Sequence, residues 1–212
     1  MRVLIVGANG HIGRRLIRQM STSPHQSRAM IRDPMQGEAL RELGADDIVV
    51  ADLEGDITPA LEGCDAVIFT AGSGGSTGPE KTDAIDRDGA IAIIDAARKA
   101  GVNRLVMVSS MGTDAPDSGP AELQHYLRAK QAADRHLRES GLNYTIVRPG
   151  SLTDEDGTGR INVATELKRR GSVSRDDVAA VILQVLDAPN THGKQFELLS
   201  GDTPVQQAIA TL

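Results

Sequence analysis

The chain alternates short apolar runs with longer stretches in which apolar residues recur at helical spacing. The runs at 3–6, 66–69 and 105–108 are apolar without alternation, as expected for strands that helices cover on both faces. The pattern predicts strands at 2–6, 27–32, 47–50, 65–69, 103–108, 143–148 and 195–199. It predicts helices at 11–20, 36–43, 82–100, 120–139 and 175–187.

Strands that alternate with helices indicate βαβ units. The predicted fold class is therefore α/β, with a doubly wound, mostly parallel sheet of about seven strands and helices on both faces. The length fits one domain over 1–212, since a domain takes roughly 100 to 200 residues, and we expect a small substrate-side segment within 150–212. Loops at 72–79, 112–120 and 153–160 follow strands, at the edge where open parallel sheets bind their ligands.

Composition and charge exclude several classes of partner. The formal net charge of -6 argues against capture of nucleic acid, and an aromatic content of 2% leaves little for base stacking. Cys64 is the single cysteine, so no intramolecular disulfide is possible. No apolar run is long enough for a signal peptide or a membrane span. We therefore expect a cytoplasmic monomer or homodimer that binds a small-molecule substrate, and neither nucleic acid nor a membrane.

Three glycines follow the first predicted strand at the point where a helix begins. Glycine at positions 7, 10 and 13 permits a tight turn, a close approach of backbone N–H groups to a pyrophosphate, and close helix–strand packing. A glycine pattern alone is weak, but the strand–turn–helix setting favours dinucleotide binding in a Rossmann-type fold over a structural turn. The expected cofactor-binding residues of this loop are Gly7, Asn9, Gly10, His11, Ile12 and Gly13.

The end of the second predicted strand bears on which dinucleotide is bound. Arg32 stands at the strand tip and Asp33 follows it. A guanidinium at this tip suits the 2′-phosphate of NADP, whereas an acidic residue would accept hydrogen bonds from the ribose of NAD. We therefore favour NADP over NAD as the cofactor. The alternative is that Arg32 is a solvated loop residue and that Asp33 faces the ribose.

The ends of the third and fourth strands supply further candidate contacts. Asp52 and Leu53 are expected beside the adenine, although a turn-forming aspartate is nearly as well supported. Thr70, Ala71 and Gly72 follow the fourth strand, and small residues there would let the backbone pass close to the riboses of the cofactor.

One predicted helix carries a phenol and an ammonium group on the same face. Tyr126 and Lys130 are four residues apart, and the chain has only two tyrosines. Acid–base work near neutral pH requires the tyrosine pKa to fall by roughly 3 units, which Lys130 and a cationic nicotinamide would favour. Ser109 and Ser110 end the preceding strand and can hydrogen-bond a substrate oxygen. The alternative is a pair on the helix surface without a chemical role.

Taken together, these segments resemble the short-chain dehydrogenase/reductase superfamily, and more narrowly its atypical NAD(P)-binding members described as NAD-dependent epimerase/dehydratase proteins. The resemblance covers essentially the whole chain. It rests on GANGHIG, IRDP, VIFTAG, DRDGA, VMVSS, YLRAK, YTIVRPG and the SRDDVA segment at 174–179. It implies that Tyr126 is the acid/base and that Lys130 orients the nicotinamide ribose. Either Ser109 or Ser110 would position the substrate. The resemblance also implies that the nicotinamide is bordered by Pro149, Gly150 and Leu152.

The resemblance is incomplete at one catalytic position. The family's asparagine falls on Asp86 in this chain. An ionised aspartate only accepts hydrogen bonds, whereas an asparagine also donates, so a proton relay built for asparagine cannot work unchanged. If Asp86 lies near Lys130, it offsets the charge that lowers the tyrosine pKa. The hypothesis is that this site is less strongly activated than in typical family dehydrogenases, or that it serves for binding.

Three functions are compatible with the sequence. The leading one is an NADP-dependent short-chain-type oxidoreductase acting on a small carbonyl or alcohol. The second is a non-catalytic NADP(H)-binding redox sensor, although sensors of that kind generally lack the Tyr/Lys pair. The third is a flavin or tetrapyrrole reductase, similar to biliverdin reductase-like proteins.

Two further features narrow the chemistry. Only 62 residues follow Gly150 (212 minus 150), and family members that epimerise sugar nucleotides use a much larger segment there, so a sugar-nucleotide substrate is not expected. The histidines show no metal-ligand spacing with one another or with cysteine, so no metal site is expected.

Overall fold

The structure is a computed structural model that describes residues 1–74 and 78–212. Within these residues, nine strands form one sheet in the order β11-β8-β10-β6-β5-β4-β1-β2-β3, and β7 and β9 form a second, small sheet. The strands are β1 (Arg2–Val6), β2 (Gln26–Ile31), β3 (Asp47–Val50), β4 (Ala66–Phe69), β5 (Arg104–Val108), β6 (Asn143–Pro149), β7 (Ser151–Thr153), β8 (Arg160–Ala164), β9 (Ser172–Ser174), β10 (Lys194–Ser200) and β11 (Thr203–Pro204). The Rossmann-like α/β class is confirmed. The sheet of the described residues has nine strands rather than about seven, because β8 and β11 extend the seven strands that the sequence predicts.

The parallel part of the sheet sets the position of the site. Seven successive neighbours of the sheet pair in parallel, in the order β3, β2, β1, β4, β5, β6 and β10. β8 is antiparallel to both β10 and β11. Because parallel strands end at the same edge, the loops that follow β1, β2, β4, β5 and β6 meet there.

Helices cover both faces of this sheet. They are α1 (His11–Met20), α2 (Gly37–Glu42), α3 (Pro79–Thr82), α4 (Ala90–Ala100), α5 (Ala121–Glu139), α6 (Arg175–Leu186) and α7 (Val205–Ala210), and a π-helical segment (Asp83–Gly89) joins α3 to α4. Val3 and Ile5 of β1 face the core layer that includes α1 and α6, while Leu4 and Val6 face the layer that includes α4 and α5. Fully apolar strands are therefore buried on both sides, as the sequence pattern predicts.

The predicted helix at 82–100 is not one regular helix: it begins at Thr82, the last residue of α3, and continues through the π-helical segment into α4. The regular helix α4 occupies its second half, and the π-helical segment precedes it. A π-helix has a wider turn than an α-helix, and such segments are frequent at functional sites. Gly101, with a φ of 75°, ends α4 in the left-handed conformation that glycine favours.

Several short elements lie where the sequence predicts loops or makes no assignment. β7 and β9 have three residues each, and β11 has two, so none is long enough to show a periodic pattern. Residues 75–77 of the predicted loop 72–79 lie outside the described residues. Among the helices of the described residues, none is long and apolar enough to cross a membrane.

Candidate active site

The glycine loop leaves no room for side chains at two of its three glycines. A Cβ atom on Gly7, whose φ is +87°, would lie 2.5 Å from the backbone N of Ala71. A Cβ atom on Gly13 would lie 2.3 Å from the carbonyl oxygen of Gly7. The start of α1 is thus held against both β1 and the loop that follows β4. Gly10 is the N-cap residue of α1, so no side chain caps this helix, and its first turn has no acidic residue. The first amide groups of α1 therefore suit an anionic ligand.

The remaining residues of this loop divide between surface and core. Asn9 and His11 are exposed, and Asn9 Oδ1 accepts a hydrogen bond of 2.9 Å from Arg14. Ile12 is buried in the core layer with α1, so its side chain serves packing. A contact from Ile12 to a cofactor therefore requires its backbone.

The end of β2 presents a cation without a counter-ion. Arg32 is exposed, and it forms no ion pair or hydrogen bond within the described part of the chain. Asp33 is engaged locally, because its Oδ1 accepts a hydrogen bond of 2.9 Å from the backbone N of Met35 at the start of a 3-10 turn. The guanidinium is therefore available to a ligand, whereas the Asp33 carboxylate already caps the turn.

The residues expected after β3 and β4 differ in their surroundings. Asp52 is exposed and accepts a hydrogen bond of 3.1 Å from the backbone N of Glu54, which is the turn-forming role that the sequence left open. Leu53 is partly buried against the π-helical segment at Gly89. Thr70 Oγ1 donates to the carbonyl oxygen of Val6 at 3.1 Å, so the end of β4 is tied to the end of β1.

The predicted catalytic residues lie together between α5 and the π-helical segment. Lys130 Nζ is 5.8 Å from the centroid of the Tyr126 ring and 5.7 Å from that of Phe69. It donates to the carbonyl oxygen of Val108, at the end of β5, over 3.3 Å. Lys130 is buried and Tyr126 is partly buried, so the alternative of a surface pair is wrong for Lys130.

Asp86 supplies the counter-charge to Lys130. Its Oδ1 lies 3.1 Å from Lys130 Nζ, and neither side chain is more than 4% exposed. Its Oδ2 accepts a hydrogen bond of 3.0 Å from the backbone N of Ser73. A Cβ atom on Gly72 would lie 3.3 Å from Asp86 Oδ1, so the loop after β4 passes directly over the carboxylate. Both partners of Asp86 are hydrogen-bond donors, which suits an aspartate better than an asparagine.

The surroundings of Tyr126 keep its phenol protonated. Burial raises the pKa of Tyr126 above the ordinary range, Lys130 acts to lower it, and Asp86 and Asp134 act to raise it. Burial acts to lower the pKa of Lys130, but Tyr126 and Asp86 outweigh this effect and the pKa is raised. The sequence predicts that Asp86 offsets the charge of Lys130 if the two residues lie close together. They do lie close together, and Asp86 acts to raise the pKa of Tyr126.

The two candidate serines occupy different environments. The Ser109 side chain is buried at the end of β5, and its Oγ has no hydrogen-bond partner among residues 1–74 and 78–212. Ser110 is partly exposed, and its Oγ donates to the carbonyl oxygen of Met111 over 3.1 Å. Only Ser110 is accessible from the strand edge.

An ion-pair network centres on Arg148, for which the sequence leaves open a structural ion pair or a substrate contact; its acidic partners were not predicted. Arg148, at the end of β6, donates through Nη2 to Asp134 Oδ2 at 2.9 Å and through Nη1 to Asp114 Oδ2 at 2.6 Å. Asp134 lies four residues after Lys130 on α5 and is fully buried. The i, i+4 spacing from Lys130 is the one sequence signal that indicated its side of the helix. The network ties the loop after β5 to α5 and β6.

The end of β6 lies beside this loop. Met111 N donates to the carbonyl oxygen of Pro149 over 3.0 Å, and Gly150 N donates to that of Leu198 over 3.0 Å. Leu152, on β7, is partly buried and packs against the core. Pro149 and Gly150 therefore adjoin the Ser110 loop, at the carboxyl edge of the sheet.

Comparisons with known proteins agree with this arrangement. The family described as NAD(P)H-binding matches residues 7–189. The uncharacterised sugar epimerase YhfK from Bacillus subtilis is 46% identical over 216 residues, which cover 100% of both chains. A solved structure from Bacillus halodurans, provisionally described as an NAD-dependent epimerase/dehydratase, is 49% identical with a TM-score of 0.98 and covers 100% of both chains.

A more distant structure bears a reductase name. ChuY, described as an anaerobillin reductase from Escherichia coli O157:H7, is 26% identical with a TM-score of 0.82. The match covers 95% of this chain and 98% of that protein. The fold of the chain is thus shared with proteins described both as epimerase/dehydratase and as reductase.

Proposed function

Because the chain belongs to the NAD(P)H-binding family, we propose that it is an NADP(H)-dependent reductase of the short-chain type that acts on a small carbonyl compound. The observation that carries the proposal is the buried Lys130 beside Tyr126, at the sheet edge where the glycine loop begins α1. The tight cradle at Gly7 and Gly13 and the uncapped start of α1 fit the pyrophosphate of a dinucleotide.

The free guanidinium of Arg32 supports NADP over NAD. A 2′-phosphate adds negative charge at the end of β2, where a guanidinium can form two parallel hydrogen bonds with it. Asp33, which would otherwise accept from a ribose hydroxyl, is engaged by Met35 N. The glycine loop, Thr70, Ala71 and Gly72 are proposed to contact the rest of the dinucleotide, with Pro149, Gly150 and Leu152 beside the nicotinamide and Asp52 and Leu53 near the adenine.

The raised pKa of Tyr126 favours reduction over oxidation. When bound, a reduced nicotinamide would provide the hydride that the carbonyl carbon accepts. Tyr126 keeps its proton at neutral pH, so its hydroxyl can donate that proton to the carbonyl oxygen. Lys130 holds positive charge near the phenol ring and is proposed to orient the nicotinamide ribose. Oxidation of an alcohol would need the phenolate, which Asp86 disfavours at neutral pH.

Ser110 is proposed as the serine that positions the substrate. It is partly exposed at the end of β5, while Ser109 is buried under it. The Arg148 network holds the loop that carries Ser110, so Arg148 is given a structural rather than a substrate-binding role.

Turnover by variants of the two tyrosines tests the proposal. We expect a panel of aldehydes, quinones and tetrapyrroles to include a compound that oxidises NADPH with the wild-type protein. Tyr126→Phe should lower kcat on it by about 100-fold or more, because the proton donor is lost. Tyr144→Phe is the matched control, since Tyr144 lies at the amino end of β6, and it should retain kcat. NADPH binding, followed by nicotinamide fluorescence, should persist in both variants.

Two other outcomes would redirect the assignment. Retained NADPH binding with no turnover on any compound would favour a redox sensor and contradict the reductase. A second candidate, a tetrapyrrole reductase, is favoured by the similarity to ChuY over 95% of the chain. It would be supported if a tetrapyrrole alone were reduced and Tyr126→Phe left that activity intact.

A further inference from the structure

Three consecutive cations stand near the substrate side of the proposed site. Lys168, Arg169 and Arg170, here called the basic triplet, are all exposed. None of them forms an ion pair or a side-chain hydrogen bond within residues 1–74 and 78–212. In a chain with a formal net charge of -6, three adjacent cations without counter-ions are a local exception. Cations at the same sheet edge that do have carboxylate partners are Arg15, Arg148 and Arg175.

A series of backbone contacts connects the triplet to Ser110. Gly171, which follows the triplet, accepts a hydrogen bond of 3.0 Å from Ser151 N. A Cβ atom on Gly150 would lie 2.5 Å from the Gly171 carbonyl oxygen, so the two backbones are in close contact. Pro149, before Gly150, accepts from Met111 N, the residue after Ser110. The basic triplet therefore lies beside the strand end that borders the proposed nicotinamide position.

The backbone of the triplet is held in an unusual conformation. Lys168 has a φ of 53°, and it is the only non-glycine residue with a positive φ in the described chain. Such conformations are uncommon outside glycine and persist where the surrounding structure holds them. Leu167 N, just before Lys168, donates to Glu197 Oε2 on β10 over 2.6 Å. With Gly171 fixed at the other end, the triplet is anchored on both sides.

No acidic side chain of the described residues forms an ion pair with the triplet. Asp154 follows β7 at the end away from Gly150, and its Oδ1 is bound by Arg15 at 3.2 Å and Arg175 at 3.0 Å. Since β7 and β9 pair in parallel, the triplet precedes one end of this small sheet and Asp154 follows the other. The charge of the triplet therefore faces the solvent beside the site.

We propose that the basic triplet binds a carboxylate or phosphate group of the substrate, so that the enzyme selects anionic carbonyl compounds; this rests on the reductase function proposed above. Arginine presents paired donors that match the two oxygens of a carboxylate, and two adjacent arginines with a lysine suit one or two such groups. The 2′-phosphate of the cofactor is proposed to bind Arg32 at the end of β2, and three strands separate β2 from β6 in the sheet. The triplet is therefore available to the substrate.

A matched pair of aldehydes tests the selectivity. The probes are 4-formylbenzoate, an anion, and its neutral methyl ester, and NADPH oxidation gives kcat/KM for each. The wild-type protein should prefer the anion by about tenfold, as expected if three exposed ion pairs each contribute about twofold. Changing all three triplet residues to glutamine should abolish this preference by lowering kcat/KM for the anion, with the ester unchanged. High salt screens exposed charges, so in the wild-type protein it should lower the ratio of kcat/KM for the anion to kcat/KM for the ester.

A control variant separates local from general charge effects. Arg98→Gln, Lys99→Gln and Lys194→Gln remove the same charge from exposed positions in the last turn of α4 and at the amino end of β10, away from the site. This variant should keep the wild-type preference for the anion. An equal loss of preference in the control and triplet variants would overturn the proposal, as would equal kcat/KM values for anion and ester in the wild-type protein.

Binding without turnover distinguishes the two proposals from each other. Calorimetry with NADP⁺ present should detect terephthalate, a dianion that cannot be reduced, on the wild-type protein and not on the triplet variant, with neutral terephthalamide as the control ligand. Triplet-dependent terephthalate binding with no turnover of any carbonyl would support the anion site and contradict the reductase. Weaker NADPH binding in the triplet variant would overturn the proposal in favour of a contact to the cofactor phosphate.

Discussion

At the scale of single residues, Arg32 is proposed to determine cofactor choice. It is exposed at the end of β2 and has no partner in the described chain, while its neighbour Asp33 caps a turn. Arg32→Ala should weaken NADPH binding by about 10- to 100-fold, because hydrogen bonds to a charged phosphate contribute about 1.5–3 kcal/mol. NADH binding should change little. Titrations of nicotinamide fluorescence measure both.

The control for this change is another exposed arginine. Arg18 lies in the last turn of α1, away from the glycine loop. Arg18→Ala should leave the affinities for NADPH and NADH unchanged. If Arg32→Ala weakens NADH and NADPH equally, or weakens neither, Arg32 does not recognise the 2′-phosphate.

Residue spacing predicts local features of the site better than its long-range contacts. Tyr126 and Lys130 share a helix face, so a four-residue spacing is sufficient to place them together. The contact between Lys130 and Asp86 joins two helical segments 44 positions apart (130 minus 86), and only the resemblance to a family suggested it. The partners of Arg148 come from α5 and from a loop, and nothing in the sequence pairs them.

At the scale of elements, the π-helical segment places a carboxylate beside Lys130 on α5. Asp86 lies within this segment and is fully buried, forms an ion pair with Lys130 through Oδ1, and accepts a hydrogen bond from Ser73 N through Oδ2. Sequence periodicity predicts a continuous helix here. The π-helical segment is only seven residues long, so its wider turn leaves the apolar pattern nearly unchanged.

Replacing Asp86 with asparagine should separate stability from activity. Asp86→Asn leaves Lys130 without its buried counter-ion, so the protein should lose about 3 kcal/mol of stability. For a chain of this size, that lowers Tm by about 6–12 °C in thermal unfolding. Because a negative charge beside Tyr126 is removed, its pKa should fall towards neutral pH. The phenol still carries its proton at pH 7 but is a stronger acid, so kcat for carbonyl reduction should rise several-fold.

The pH profile checks the cause of that change. Reduction needs the protonated phenol, so wild-type kcat should be level through neutral pH and fall only as the pH rises through the raised pKa of Tyr126. In Asp86→Asn this fall should begin at a lower pH, because the phenolate is less disfavoured. Asp88→Asn, at an exposed position of the same segment, should keep the wild-type profile. Unchanged or lost activity in Asp86→Asn would contradict the role given to Asp86.

Short strands and edge extensions were beyond the reach of sequence patterns. The strands β1 to β6 and β10 were located to within a residue or two, because each contains apolar residues typical of strands and is bounded by turn residues. β7 and β9 pair through backbone groups over three residues, and side-chain periodicity carries no signal at that length. These two strands nevertheless position the basic triplet, so the proposed substrate side was the part of the site that the sequence pattern predicted least.

At the scale of the whole molecule, the fold brings distant loops to one edge of the parallel sheet. The glycine loop, the end of β4, the end of β5 and the end of β6 meet there, and α5 crosses beside them with Tyr126 and Lys130. The alternation of strands and helices was sufficient to predict that these loops meet at one edge, because parallel strands all end there. Open α/β sheets bind their ligands at this edge, so it is the predicted ligand site. Substrate choice depends on side chains and loops that the topology does not fix.

A crystal structure of the complex with NADP⁺ tests the central claim most directly. We predict the pyrophosphate at the start of α1, Arg32 on the 2′-phosphate, and the Tyr126 hydroxyl within hydrogen-bonding distance of the space beside the nicotinamide C4 atom, where a substrate oxygen would lie. A dinucleotide bound in this way with the Tyr126 hydroxyl directed away from that space would contradict the reductase mechanism.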